Sequence, residues 1–109
     1  MDQNSVELLQ KIFEIIDSDL SSKGFDYLRF EYSCLRWDGL GMKECSLTFH
    51  DDEGLHEDCS IEDHKIHFLF DDLHREMKDR GEDWKSCFII FEQGKVKTRF
   101  GYEENPPPW

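Results

Sequence analysis

Apolar positions along the chain repeat with two different periods, and each period predicts a different kind of element. Residues 5–21 carry apolar side chains every three or four positions, which predicts an amphipathic helix. Asn4 and Glu7 have the spacing of a capping box at its start, and Gly24 suits its C-terminal cap. A second stripe of this period predicts a helix from 61 to about 80. Ser60 and Asp63 are its expected capping pair, and Gly81 its expected stop.

Between and after these helices, apolar and polar residues alternate with a period of two, which is typical of strands with one buried face. Such segments predict strands over 25–37 and 43–50, and a short, charged edge strand over 55–59. The last segment, 86–102, has two β-forming arms joined by Gln93-Gly94 and predicts a β-hairpin.

The predicted order of elements is α-β-β-(β)-α-β-β. Neighbouring strands joined by short turns favour an antiparallel sheet of four to five strands with two helices, which is an α+β fold. A chain of 109 residues suits one domain, 1–109, because no connection is long and polar enough to be a linker. Residues 103–109 form a Pro-rich C-terminal tail that cannot continue a helix or a strand.

The chain is strongly acidic, with 25 acidic against 13 basic residues and a formal charge of −12. Such a field repels nucleic acid and anionic membrane surfaces, and it favours a basic partner. The simpler interpretation is that the charge only keeps a cytosolic protein in solution. No apolar run approaches the roughly 20 residues of a membrane span, and the polar N-terminus does not resemble a signal peptide. We therefore expect a cytoplasmic location, with neither a membrane nor a nucleic acid as partner.

The four cysteines, Cys34, Cys45, Cys59 and Cys87, form no C-x-x-C pair. Three fall inside predicted strands and one at a strand end, where a reduced thiol behaves as a small apolar side chain. Their even number leaves disulfides open, but the expected cytoplasmic location favours free thiols.

Histidines on the second predicted helix raise the question of a metal site. His64, His67 and His74 lie near Asp71, but the strong helical zinc signature H-E-x-x-H is absent, and we expect these side chains to face water. The sequence contains no nucleophile elbow and no Gly-rich phosphate loop, so we predict no catalytic residues, no metal and no cofactor. The alternative is a small metal-dependent hydrolase that uses this His/Asp cluster.

Carboxylates are concentrated where the second predicted strand turns into the third. Asp51-Asp52-Glu53-Gly54 lacks the ligand spacing of a calcium loop and is better interpreted as an acidic β-turn, which can serve as an anionic patch for a basic protein.

At the C-terminus, Trp109 follows three prolines. A stiff segment can press its indole into a groove of the same domain or offer it to a partner as an anchor.

The C-terminal half also resembles a known family. The segment from Trp84 to Val96, followed by Phe100-Gly101-Tyr102-Glu103, is similar to the end of YezG-like antitoxin (immunity) proteins. That family has a Trp, an apolar strand, a Gly-Lys turn and a last strand that ends in aromatic-x-Tyr. It also places an acidic amphipathic helix just before, as residues 61–80 do here. The resemblance covers about the last 50 residues, and the Pro-Pro-Pro-Trp tail is outside the pattern.

The resemblance implies a bacterial immunity protein that neutralises a toxin by binding it. Such proteins bind the toxic C-terminal domain of a polymorphic or contact-dependent growth-inhibition toxin in the cytoplasm of the producing cell. Many such toxins are nucleases, whose active sites must be basic to hold phosphates, so an acidic inhibitor fits them. The family supplies no catalytic residues to transfer. The predicted toxin-binding residues are Asp51, Asp52, Glu53, Glu57, Asp58, Asp71, Asp72 and Trp109.

Overall fold

The computed structural model describes residues 2–107, with only the backbone described for Asp58. It confirms the predicted fold class, an α+β protein with two helices and a five-stranded antiparallel sheet. The helices are α1, Gln3–Ser22, and α2, Lys65–Lys78. The strands are β1, Arg29–Trp37; β2, Met42–Asp51; β3, Gly54–Cys59; β4, Ser86–Glu92; and β5, Lys95–Gly101. One turn of 3-10 helix, Asp38–Leu40, joins β1 to β2. Within these residues, no helix is long and apolar enough to cross a membrane.

Contacts divide the described chain into two compact units. The helical unit comprises residues 2–26 and 61–83, and the sheet unit comprises residues 27–60 and 84–107. The helical unit contains 14 acidic and 6 basic residues, and the sheet unit contains 11 and 7. The helical unit therefore carries most of the negative charge.

In the sheet unit, the strands follow the order β3-β2-β1-β4-β5, with β1 in the centre. The register places Cys34 of β1 opposite Cys45 of β2 on one side and opposite Cys87 of β4 on the other. Residues opposite each other in a ladder share a face, so three thiols form a row across three strands. None of the four cysteines, all of which lie in the described part of the chain, forms a disulfide.

One face of this sheet is apolar and buried, because every second residue along its strands is apolar and alternate residues point to the same face. The rings of Phe30 and Phe91 stack with centroids 5.7 Å apart, and Tyr27 meets both edge-on at 5.4 and 5.3 Å. Aromatic pairs of this geometry stabilise beyond the area they bury. The other buried apolar residues of this face are Tyr32, Cys34, Leu47, Phe49, Cys87 and Ile89.

The C-terminal hairpin has the predicted two-residue turn between β4 and β5. Gln93 and Gly94 both have positive φ, 52° and 74°, as a type I′ turn requires. Lys95, Lys97 and Arg99 are exposed on the outer strand. Such charges discourage pairing with another sheet edge.

In the helical unit, α1 and α2 pack against each other and each buries the apolar stripe seen in the sequence. At the end of α1, the Phe25 amide donates to the Leu20 carbonyl and the Gly24 amide donates to the Ser21 carbonyl. With Gly24 at φ 82°, this is a Schellman motif, and the predicted glycine cap is confirmed. The fully or nearly buried residues of the two stripes are Ile12, Ile16, Leu20, Ile66, Phe70, Leu73 and Met77.

The starts of both helices differ from the prediction. Asp2, not Asn4, caps α1, because its carboxylate accepts from the Ser5 amide at 3.3 Å. Helix α2 begins at Lys65, so Ser60 is not its cap. The segment before α2 is held outside the helix, since the Glu62 amide donates to the carboxylate of Asp19 at 3.2 Å. The predicted stop at Gly81 is confirmed by its positive φ of 88°.

The described start of the C-terminal tail is tied to the end of the sheet. The Asn105 side-chain amide donates to the carbonyls of Arg36 and Lys85, both at 2.9 Å. The Trp37 indole donates to the Pro106 carbonyl at 2.7 Å. These bonds satisfy backbone oxygens on β1 and before β4.

Replacing Asn105 by Ala should therefore lower the free energy of unfolding by about 1–2 kcal/mol, since the carbonyls of Arg36 and Lys85 each lose one hydrogen bond. The Lys85 carbonyl keeps a second donor, the Arg36 amide at 2.9 Å. Urea denaturation followed by circular dichroism measures this change. Glu103→Ala is the matched control on the same exposed tail. Equal stability of the Asn105→Ala variant and the wild type would contradict a role for these bonds.

Candidate partner-binding surfaces

The predicted acidic patch lies at the turn between β2 and β3, but its first residue is engaged within the turn. Asp51 ends β2, and its side chain is only 6% exposed. Its Oδ1 lies 3.1 Å from Nε2 of His56 and accepts from the Glu53 amide at 2.9 Å. The His56 ring stacks on Phe49 with centroids 4.4 Å apart. Asp51 therefore fixes the turn and offers little carboxylate to a partner.

The local interactions change the acidity of Asp51. Desolvation raises the pKa of this carboxyl, but His56 and the amides of Glu53 and Gly54 together outweigh it, so the pKa is lowered. A lowered pKa means that the ionised form is favoured in the fold. The stabilisation is present above the ordinary aspartate pKa and is lost as the pH falls through the lowered value.

Three other predicted residues of the patch, Asp52, Glu53 and Glu57, are exposed. Gly54, at φ 125°, allows the tight reversal that presents Asp52 and Glu53 at the tip of the hairpin. The side chain of Asp58 is outside the described part of the chain. The turn thus offers at least three carboxylates on a short, hydrogen-bonded hairpin.

The alternative patch, Asp71 and Asp72, lies on α2 in the helical unit. Asp71 is exposed, and Asp72 pairs with Arg75 one turn later. Neighbouring acids are paired as well, since Arg80 contacts Asp2 at 2.8 Å and Glu76 at 3.3 Å. Pairing reduces the charge that Asp72 can offer to a partner, so the β2–β3 turn is the stronger of the two patches.

The histidines of α2 do not behave as one group. His74 is buried, and its Nε2 lies 2.7 Å from Oδ1 of Asp83, so the expectation that it faces water is wrong. It lies one turn after Phe70 and beside Leu73, which places it at the edge of the apolar stripe. His64 and His67 are stacked, with centroids 6.0 Å apart. The ring nitrogens of His64, His67 and His74 do not all come within 4.8 Å of one another, so within the described residues these three side chains do not form a joint metal site.

The row of thiols has chemistry of its own. Burial, reinforced by Cys45, raises the pKa of the Cys87 thiol to about 12. A hydrogen bond with Cys45 and burial also raise the pKa of Cys34. Neutral thiols are weak nucleophiles and weak metal ligands, so these side chains act as small core residues at physiological pH.

Sequence reasoning missed a groove between α1 and α2, which has a volume of about 860 Å³. Ile15, Ser18 and Ser22 line it from α1, beside the stripe that is buried. Phe68 and Leu69 line it from α2. The signal in the sequence was Phe68, a large aromatic residue on the polar side of α2. Trp109, the predicted C-terminal anchor, lies outside the described residues.

The fold thus defines an α+β protein whose surface offers carboxylates at one turn and an open groove between two helices. No protein-family model matches the chain, and no curated protein matches it significantly.

Proposed function

We propose that this chain is an immunity protein that binds the basic catalytic domain of a cognate bacterial toxin, most simply a nuclease, in the cytoplasm of the producing cell. It acts without catalysing a reaction. The formal charge of −12 supports this proposal, as does the resemblance of the C-terminal hairpin to YezG-like antitoxins. The single observation that carries it is the exposure of Asp52, Glu53 and Glu57 on the β2–β3 hairpin.

The physical reason for an acidic inhibitor lies in the substrate of the toxin. A nuclease holds phosphates with lysine and arginine side chains, and carboxylates placed against those side chains compete with nucleic acid. Opposite charges also steer the encounter, which raises the association rate at low salt. Rapid association matters because a nuclease damages the cell until it is bound.

The turn suits this role because its shape is set before binding. The contacts of Asp51 with His56 and with the Glu53 amide hold the tip, so little conformational freedom remains to be lost on association. The same contacts decide which residues to change. Reversing Asp51 would disturb the turn itself, whereas Asp52 and Glu53 are exposed and can be reversed without removing those contacts.

The double variant Asp52→Lys/Glu53→Lys should slow association with the toxin by about tenfold or more at low salt. The measurement is stopped-flow or surface plasmon resonance against a purified bacterial nuclease toxin domain that the wild-type chain binds, at two or more salt concentrations. Glu103→Lys/Glu104→Lys is the matched control, since it makes the same change in charge at two exposed residues.

An equal loss in both double variants would show that only net charge matters and would remove the turn from the interface. The broader proposal is tested in a bacterial host that produces the toxin domain. Co-production of the wild-type chain should restore growth, and growth arrest that persists despite a stable, folded chain would contradict the proposed function.

A further inference from the structure

We infer that the groove between α1 and α2 is a docking site for a basic amphipathic helix of a protein partner. The groove belongs to the helical unit alone, since all of its lining residues lie in or beside the two helices. Helices of partner proteins commonly bind in this way, with apolar side chains in a groove and charged side chains along its edges.

The lining residues of α1 define a continuous face of that helix. Lys11, Ile15, Ser18 and Ser22 follow one another every three or four positions, so they form a stripe beside the buried one. From Lys11 to Ser22 the stripe runs about 16 Å, which is about three turns of an α-helix. Ser18 and Ser22 are small, so a partner backbone can approach α1 closely there.

The opposite wall provides an exposed aromatic anchor. Phe68 is 69% exposed, the largest exposed fraction among the large hydrophobic residues described. It stands on α2 beside Leu69 and faces the same groove as Ile15. Together these three side chains form an apolar strip that costs free energy while it faces water, and a partner's leucine or phenylalanine would cover it.

The charge around the groove selects the kind of partner. The groove is lined by three exposed carboxylates, those of Glu14, Glu62 and Asp63, and by two cations, those of Lys11 and Lys65. The fourth lining acid, Asp19, is already paired with Lys23 at 2.8 Å. The helical unit as a whole has 14 acids and 6 bases, so a second copy of this chain would bring like charge to the groove, whereas a basic helix would bring opposite charge.

A direct test uses the whole chain and a synthetic peptide of leucine and lysine, about 18 residues long, with leucines at helical spacing. The expected result is saturable binding by fluorescence anisotropy, with helix formation in the peptide detected by circular dichroism. A peptide of the same composition in permuted order, and a leucine–glutamate peptide with the helical spacing, should both bind at least about tenfold more weakly.

Substitutions locate the site. Phe68→Ala should weaken binding of the leucine–lysine peptide about tenfold, because the main apolar contact is lost. Leu28→Ala is the matched control, since Leu28 is 64% exposed and lies in the sheet unit. Ser18→Trp should block the groove and weaken binding as well. Phe68 and Ser18 are exposed, so we expect neither substitution to disturb the fold. An unchanged circular dichroism spectrum of each variant checks this.

Equal binding of the permuted peptide, or equal affinities of the wild type, Phe68→Ala and Ser18→Trp, would overturn the inference. So would dimerisation through the groove, detected as a mass of twice one chain that Phe68→Ala abolishes. The inference rests on the proposed function only in taking the partner to be a basic protein. The peptide assay contains no toxin, so a failure to bind the peptide would contradict the groove inference but not the proposed function. A chain that binds the peptide but does not neutralise the toxin would contradict the proposed function but not the groove inference.

Discussion

Replacing Trp84 by Ala is expected to lower the free energy of unfolding by about 3–5 kcal/mol. The Trp84 side chain is fully buried just before β4. Its ring lies 5.8 Å from that of Phe100, and the Arg36 guanidinium lies 5.6 Å from its centroid. Removing the indole loses these contacts and leaves a cavity in the sheet unit. Small domains are stable by only about 5–15 kcal/mol, so the variant should be largely unfolded in moderate urea.

The appropriate measurement is urea denaturation followed by far-ultraviolet circular dichroism, because the substitution removes a fluorophore. Trp84→Phe keeps part of the apolar volume and should lose less stability than Trp84→Ala. Tyr102→Ala is the exposed aromatic control, with 51% of that residue accessible. A Trp84→Ala variant as stable as Tyr102→Ala would show that the indole packs loosely.

The free energy of unfolding should fall steeply between about pH 8.5 and pH 12. In the unfolded chain a thiol loses its proton near pH 8.5, whereas burial raises the pKa of the native Cys87 thiol to about 12. Over this interval the native state binds more protons than the unfolded state, so stability decreases as the pH rises. The slope from this thiol approaches about 1.4 kcal/mol per pH unit, and the loss reaches about 4 kcal/mol by pH 12.

Cys34 should add to the same decline, because its hydrogen bond with Cys45 and its burial raise its pKa as well. Below about pH 7.5 both native and unfolded thiols are almost fully protonated, and neither makes stability depend on pH. Denaturation curves at intervals of half a pH unit measure the slope. The variant Cys87→Ala should show a shallower slope than the wild type, and Tyr102→Phe should leave the slope unchanged. A slope that Cys87→Ala does not alter would contradict burial of a protonated thiol.

Much of the fold is predictable from the sequence, since the spacing of apolar residues is itself the cause of burial. The stripe through Ile12 and Ile16, the alternation through Phe30 and Tyr32, and the Gln93-Gly94 turn each define an element locally. The strand order, in contrast, is not determined by local sequence. Nothing local indicates that β1 pairs with β4, because that pairing depends on contacts between distant segments.

The helix ends were predicted less well, for a local reason. Asp2 and Asn4 are equally suitable caps by residue type, and the choice depends on where the chain enters the helix. At α2, the bond from the Glu62 amide to Asp19 competes with the cap that Ser60 would have made. Asp19 lies on the other helix, so the sequence around Ser60 holds no sign of it.

The candidate site shows the same division. The acidic turn was recognised from composition, but Asp51 and Asp52 look alike in the sequence. Their roles separate only because His56, on the next strand, reaches back to Asp51. His74 was misplaced because it was grouped with His64, His67 and Asp71 on the polar side of α2, although it lies beside Leu73. The groove was missed because its walls come from two helices, and the sequence of either helix alone does not show that they lie side by side.

The central position of β1 has a consequence for how the chain is made. This strand can pair with β2 soon after both leave the ribosome, but its other edge waits for β4, which begins at Ser86. Contacts between such distant segments form slowly, and the unpaired edge of an apolar strand is a target for aggregation during the delay. A nascent chain interrupted before Ser86 should therefore need chaperones more than the finished protein does.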